Sequence, residues 1–299
     1  MVYKTILLIL LSITVNAQIM LNPKRATTLG GSGGGEPPAY NADAVVYFDT
    51  LESKSLTLDA THKTAYSNFF ANLIDTLGMT NIYDRIDMLL LLGNQDTLAA
   101  LTNAVYPTEV ATRKIGMTFV VDTGFTSGNN LYINTLYNTS TDGIALTLDD
   151  ASVTVYNWTN ATETTAYDFG SNDETNRIVM AIANTTYYDG KTGWGVFTAS
   201  IDYTDSILYK ADGTFTMTRR ADDDSELYHE GASKQTKTTA SSTLVNLNVW
   251  LGEPRLPVLE SAAGTTRQYF LFMIHDGVTD NEALYIYNCI EALKTDLGL

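Results

Sequence analysis

The chain has 299 residues, 44 % of them hydrophobic and 17 % charged, which is ample for a buried core and too apolar for a disordered polymer. Its 34 Asp and Glu outweigh 18 Lys and Arg, giving a net charge of −16, and the longest basic run is the pair Arg219 and Arg220. Phosphate tracking needs clustered cations and anionic lipid needs a basic surface, so neither nucleic acid nor a charged membrane is an expected partner.

The first residues, MVYKTILLILLSITVNAQ, have the layout of a secretory signal. Lys4 precedes an apolar run over 6–15, and the small residues Val15 and Ala17 come before Gln18. The run is too short for a comfortable membrane span. Two readings stay open for residues 1–17: a signal cleaved between Ala17 and Gln18, or an apolar anchor kept for assembly. Residues 18–40, rich in Gly and Pro, form a linker arm that cannot bury a core. The string GGSGG within it matches a nucleophile-elbow pattern in letters only, because no strand leads into it and no helix follows.

A helical lead-in occupies 41–105. A short helix is expected over 42–51. A second begins at Asp59 as N-cap, repeats apolar residues from Tyr66 to Leu77 at helical spacing, and stops at Gly78. His62 falls in its first turn, where a solvated imidazole is expected. A buried strand over 86–92 and a short helical turn over 95–107 complete this part.

From there the period becomes two. Strands are expected over 117–124, 130–138, 143–150, 151–159, 176–184, 193–202 and 205–213, then over 214–220, 225–231, 245–252 and 267–277. About eleven short strands with Gly, Asn and Asp between them are the pattern of an all-β sandwich. A closing helix over 279–298 opens with a capping box, Thr279 and Glu282, and presents Leu284, Tyr287, Ile290 and Leu293 as its apolar side, with Cys289 flanking. Cys289 is the only cysteine, so there is no disulfide framework. The fold class expected is mainly β, an antiparallel sandwich over residues 106–299 closed by the C-terminal helix, with the helical lead-in packed on it.

Three segments, YNADAVVYFDTLESKSLTLDATHKTAYSNFFANLIDTLG, DRIDMLLLLGNQDTLAAL and VTDNEALYIYNCIEALKTDLG, resemble a family of phage virion proteins with a concanavalin A-like (laminin-G-like) lectin jelly roll. The order of TFVVDTGFTSGNNLYINT and TMTRRADDDSELYHEG between them is similar too, and the likeness covers about 40–299. The resemblance makes the expected sandwich a concanavalin A-like jelly roll and implies a fibre, spike or decoration component. Residues 1–40 would contact other virion subunits, the assembly would be a homo-oligomer, and the sandwich would bind host-surface glycans. The signal-like start departs from that pattern and keeps a secreted or surface-attached bacterial carbohydrate-binding protein as the alternative.

Catalysis has no positive signal. A glycoside hydrolase needs two carboxylates flanking the scissile bond, and the nearest acidic cluster, Asp222, Asp223, Asp224 and Glu226, lies at a hairpin turn and is expected to be its solvated tip. No cofactor is expected, Ca2+ being the one exception left open. Sugar contact by aromatic rings with polar partners points instead to Tyr187, Tyr188, Asp189 and Trp194 in one loop and to Trp158 in another. Trp250 reads as core.

Overall fold

The computed structural model describes residues 39–163, 167–185, 191–204, 210–256 and 264–299. The segment 1–38 and Tyr187, Tyr188 and Asp189 of the expected sugar loop lie outside them, as does most of the strand expected over 205–213.

Two N-terminal helices form where their ends are satisfied. α1 (Ala42–Ser53) is capped by Asn41, whose side chain accepts from the amides of Asp43 and Ala44. α2 (Ala60–Leu77) is capped by Asp59 and stops at Gly78, which takes the left-handed φ of 63° that glycine adopts without a Cβ penalty. β1 (Ile86–Leu90) and α3 (Thr97–Leu101) follow. Then come β2 (Thr112–Arg113), β3 (Thr118–Val120), β4 (Gly124–Thr126), β5 (Ile133–Asn138), β6 (Ala151–Asn157), β7 (Phe169–Asn172), β8 (Arg177–Asn184), β9 (Lys191–Thr198) and β10 (Asp202–Tyr203). The last elements are β11 (Gly213–Ala221), β12 (Asp224–His229), β13 (Ala232–Lys237), β14 (Asn248–Leu251), β15 (Pro254–Arg255), β16 (Gln268–His275) and α4 (Asp280–Asp296).

The strands form two sheets. The first runs β13-β12-β11-β6-β16-β4-β3 with β1 also paired to β16, and the second β10-β9-β8-β7-β14-β5-β2 with β15 also paired to β7. The pairings are antiparallel except for β15 with β7. This is the expected two-sheet sandwich with terminal helices.

β16 shows how the layers arise. Tyr269, Phe272 and Ile274 enter the core between the sheets, while Phe270, Leu271 and Met273 enter a second core under the helices. β1 does the same, with Met88 and Leu90 inward and Ile86 and Leu89 outward. A strand covered on both sides has no polar face, which is why 86–92 reads as a continuous apolar run. The order of layers is therefore helices, first sheet, second sheet.

Five expectations change. The stretch 117–124 is a tight hairpin of β3 and β4, not one strand, with Asp122 at its turn in a left-handed φ of 63°. The stretch 143–150 forms no strand, because the amides of Ile144, Ala145 and Leu146 wrap the buried Asp87 carboxylate, which also accepts from the Tyr137 hydroxyl at 2.8 Å. His62 is buried rather than solvated. Its Nδ1 lies 3.0 Å from Asp59 and its Nε2 2.8 Å from Asp122, tying α2 to the β3–β4 hairpin. The buried face of α4 is Ala283, Ile286, Cys289, Ile290 and Leu293, while Leu284 is 42 % exposed. The acidic turn divides: Asp222 and Asp223 are solvated, whereas Glu226 is buried and accepts from Arg220 and Tyr228 at 2.8 Å each.

Two arginines close the ends of the layers. Arg85 binds Asp276 at 2.6 Å, Glu282, and the carbonyls of Leu77 and Gly277, joining α2, the end of β16 and the start of α4. Burial pushes the Asp276 carboxyl up to about 6 against the pull of Arg85. Arg219 is fully enclosed and donates to the carbonyls of Val196 and Thr239 at 2.8 and 2.9 Å.

Candidate functional site

The site lies on the outer face of the second sheet, the side turned away from the sandwich core. On β5, Ile133 and Tyr137 point into the core, so Asn134 and Asn138 point out; on β14, Val249 and Leu251 point in, so Asn248 and Trp250 point out. Antiparallel pairing sets Trp250 beside Asn134 and Asn248 beside Asn138. β2 then places Thr112 beside Asn134, and the Lys114 amide bonds to the Tyr132 carbonyl at 2.8 Å. These three strands, with β15 through Arg255, contribute side chains to one surface.

Its centre is a stack. The rings of Tyr132 and Trp250 lie 3.7 Å apart between centroids, 7° from parallel. Lys114 Nζ sits 5.2 Å from the Tyr132 ring and the Arg255 guanidinium 4.8 Å from the Trp250 ring. The order across the strands is cation, ring, ring, cation, an arrangement in which each ring quadrupole faces a positive charge. Arg255 reaches Trp250 through a tight reversal. Gly252 adopts a φ of 92°, where a Cβ would come 2.8 Å from that of Ser127, and its amide donates to the Asp168 carbonyl. Trp250 and Pro254 consequently both pair with Gly170.

Beside the stack runs a row of amides. Asn138 Nδ2 donates to Asn246 Oδ1 at 2.9 Å, and Asn248 Nδ2 to Asn134 Oδ1 at 3.3 Å. These bonds leave Asn134 Nδ2, Asn246 Nδ2 and Asn248 Oδ1 without partners among the described residues. Rings and amides together wall a groove of about 430 Å³, and a second of about 330 Å³ adjoins it along Thr112, Lys114 and Tyr132. The indole Nε1 of Trp250 is a buried donor with no acceptor among the described residues.

A buried ion pair supports this surface from beneath. Arg267 Nε lies 2.8 Å from Asp168 Oδ1, both side chains being fully enclosed. Asp168 also accepts from the Ile182 amide at 2.6 Å and the Tyr269 hydroxyl at 3.0 Å. Burial raises the Asp168 pKa, and Arg267 and these donors work against it.

The structure separates the aromatic residues expected from sequence to meet sugar. Trp194 is 0 % exposed and part of the core between the sheets, so neither ring face is open to a ligand. Trp158 packs edge-on against Tyr156 and Phe270 on the helix side, donates to the Thr123 carbonyl at 3.0 Å, and lies under Lys294. Trp250 is buried as expected, 5 % exposed, but its cover is Tyr132 and Arg255 rather than the core. The alternation in NLYINTLYN and VNLNVWLG, with asparagine on one side of both strands, was the signal in the sequence.

No family model matches the chain, and no curated protein matches it. Among solved structures it is similar to domain 4 of AbnA, a GH43 extracellular arabinanase from Geobacillus stearothermophilus, in complex with arabinotriose. That match has 13 % identity and a TM-score of 0.50, over 68 % of this chain and 98 % of that one. It is also similar to Trypanosoma rangeli sialidase in complex with sialic acid, at 8 % identity and a TM-score of 0.50, over 77 % of this chain and 39 % of that one. At these identities the likeness is one of fold, a mainly β two-sheet sandwich. That fold occurs in proteins solved with bound sugars.

Proposed function

We propose that this chain is a glycan-recognition protein whose binding surface is the outer face of the second sheet. The observation that carries the reading is the groove itself, with unpaired amide donors and acceptors beside rigid, stacked rings. Sugar hydroxyls both give and take hydrogen bonds, and an asparagine amide answers both. The stack fixes the groove wall at little entropic cost, because Tyr132 and Trp250 hold each other in place. Their faces are already occupied, so ring edges and polar groups make the contact. No Asp or Glu is among the residues lining the two grooves. The paired carboxylates of a glycoside hydrolase therefore have no place in these two grooves, and the function proposed for them is recognition. The likeness in fold to an arabinanase domain solved with arabinotriose supports the same reading.

In our reading the protein is a phage virion component, a fibre, spike or decoration subunit held by residues 1–40 as a homo-oligomer, with the sandwich facing host glycans. The order of its segments supports this. The signal-like residues 1–17 favour a second reading, a secreted or surface-attached bacterial carbohydrate-binding protein. A glycan array probed with the full chain and with Asn134→Ala tests the binding: specific signals that Asn134→Ala weakens are expected, and a blank array refutes it. Immunogold labelling of particles, with N-terminal sequencing of the natural protein, decides between virion and export.

A further inference from the structure

The groove is the reverse in sign of the protein that carries it. The chain holds 34 acidic residues against 18 basic ones, yet the lining of the groove and its neighbour includes Arg255, Lys114 and Arg113 and no carboxylate. Two acids lie close by along these strands and neither lines the groove: Glu253 is fully buried at the Gly252 reversal, and Asp142 is turned back to accept from the Asn138 amide at 2.8 Å. Arg113 is engaged by the Met117 carbonyl at 2.8 Å. Arg255 differs: its guanidinium lies over the Trp250 ring and makes no ion pair among the described residues.

Resting on the reading of this surface as a sugar site, we propose that its ligand is an acidic glycan, one whose sugar carries a carboxylate that Arg255 receives. A guanidinium held flat on an indole keeps its in-plane N–H groups available, and these match a carboxylate in a two-bonded fork. Lys114, at the other end of the stack, adds positive potential along the same strip. The amides of Asn134, Asn246 and Asn248 then serve the hydroxyls. The surrounding negative charge repels acidic chains from the rest of the surface and leaves this strip as the point of approach.

The test is biolayer interferometry of the full chain against two acidic sugars, 3′-sialyllactose and trigalacturonate, each beside its neutral counterpart, lactose and galactotriose. The acidic member of each pair is expected to bind about tenfold tighter or more, and the difference to shrink as NaCl rises from about 0.05 to about 0.5 M. Arg255→Gln should abolish the preference, bringing the ratio of acidic to neutral affinity within each pair close to one, with Arg255→Lys between. The salt dependence of the unmodified chain reads the same point without any variant. Neutral sugars binding as tightly as acidic ones, or an Arg255→Gln variant that keeps the preference, overturns the inference while leaving the sugar site standing. Failure of all four sugars and of the array removes both.

Discussion

Tyr132 and Trp250 are distant in the chain, yet their rings lie parallel and 3.7 Å apart because β5 and β14 are paired neighbours. Neither ring reaches the core. They stabilise an outer face, and together with the two cations they make that face rigid. Their coupling should be measurable: a double-mutant cycle of Tyr132→Leu and Trp250→Leu in urea is expected to give about 0.5–1.5 kcal/mol beyond the sum of the single effects. Strict additivity would show that the stack contributes only through its area.

Asp168 and Arg267 form an enclosed pair whose backbone neighbours reach the Gly252 reversal. Removing one charge strands the other without water. Arg267→Met or Asp168→Asn should each destabilise by about 3–5 kcal/mol, with part regained in the double variant. Chemical denaturation of all three checks this.

His275 is held neutral. Its ring bonds to the Asp276 carbonyl at 2.8 Å and to Thr154 Oγ1 at 3.0 Å, and burial pushes its pKa down to about 3. The unfolded chain takes up this proton below about 6.5 and the folded one does not. Its contribution is therefore complete above 6.5 and falls toward 3 by at most about 1.4 kcal/mol per pH unit. Asp276, raised to about 6, acts in the opposite sense, since the folded state takes up its proton first as the pH drops. Comparing the unfolding free energy of the native chain and His275→Gln at several pH values isolates the histidine. Equal slopes would contradict its burial as a neutral ring.

Asp87 organises the segment after β5 through the amides of Ile144, Ala145 and Leu146. Hydrogen bonds to a charged acceptor contribute about 1.5–3 kcal/mol each. Asp87→Ala should therefore speed amide exchange at Ala145 and Leu146 well before the sheets open. Unchanged exchange there would mean that another contact holds the turn.

Local physics was open to reading from the sequence. Asp59 and Gly78 bound α2, Thr279 and Glu282 start α4, and alternation marks most strands, because caps and side-chain periods depend on residues a few positions apart. The two-sided run at 86–92 also announced a strand covered on both faces. The tertiary structure alone decided which side each strand buries and which distant residues meet. Asp87 draws the 144–146 amides out of the sheet, and Asp59 with Asp122 encloses His62. Trp194 and Trp250 both sit in apolar strands with a glycine within two residues, but one enters the core and the other the outer face. Shifting either strand's register by one residue would exchange those sides, and register is set by pairing across the sheet. The groove of Tyr132, Trp250 and Arg255 exists for that reason: the sequence supplied its residues, and long-range strand pairing with the Gly252 reversal brought them together.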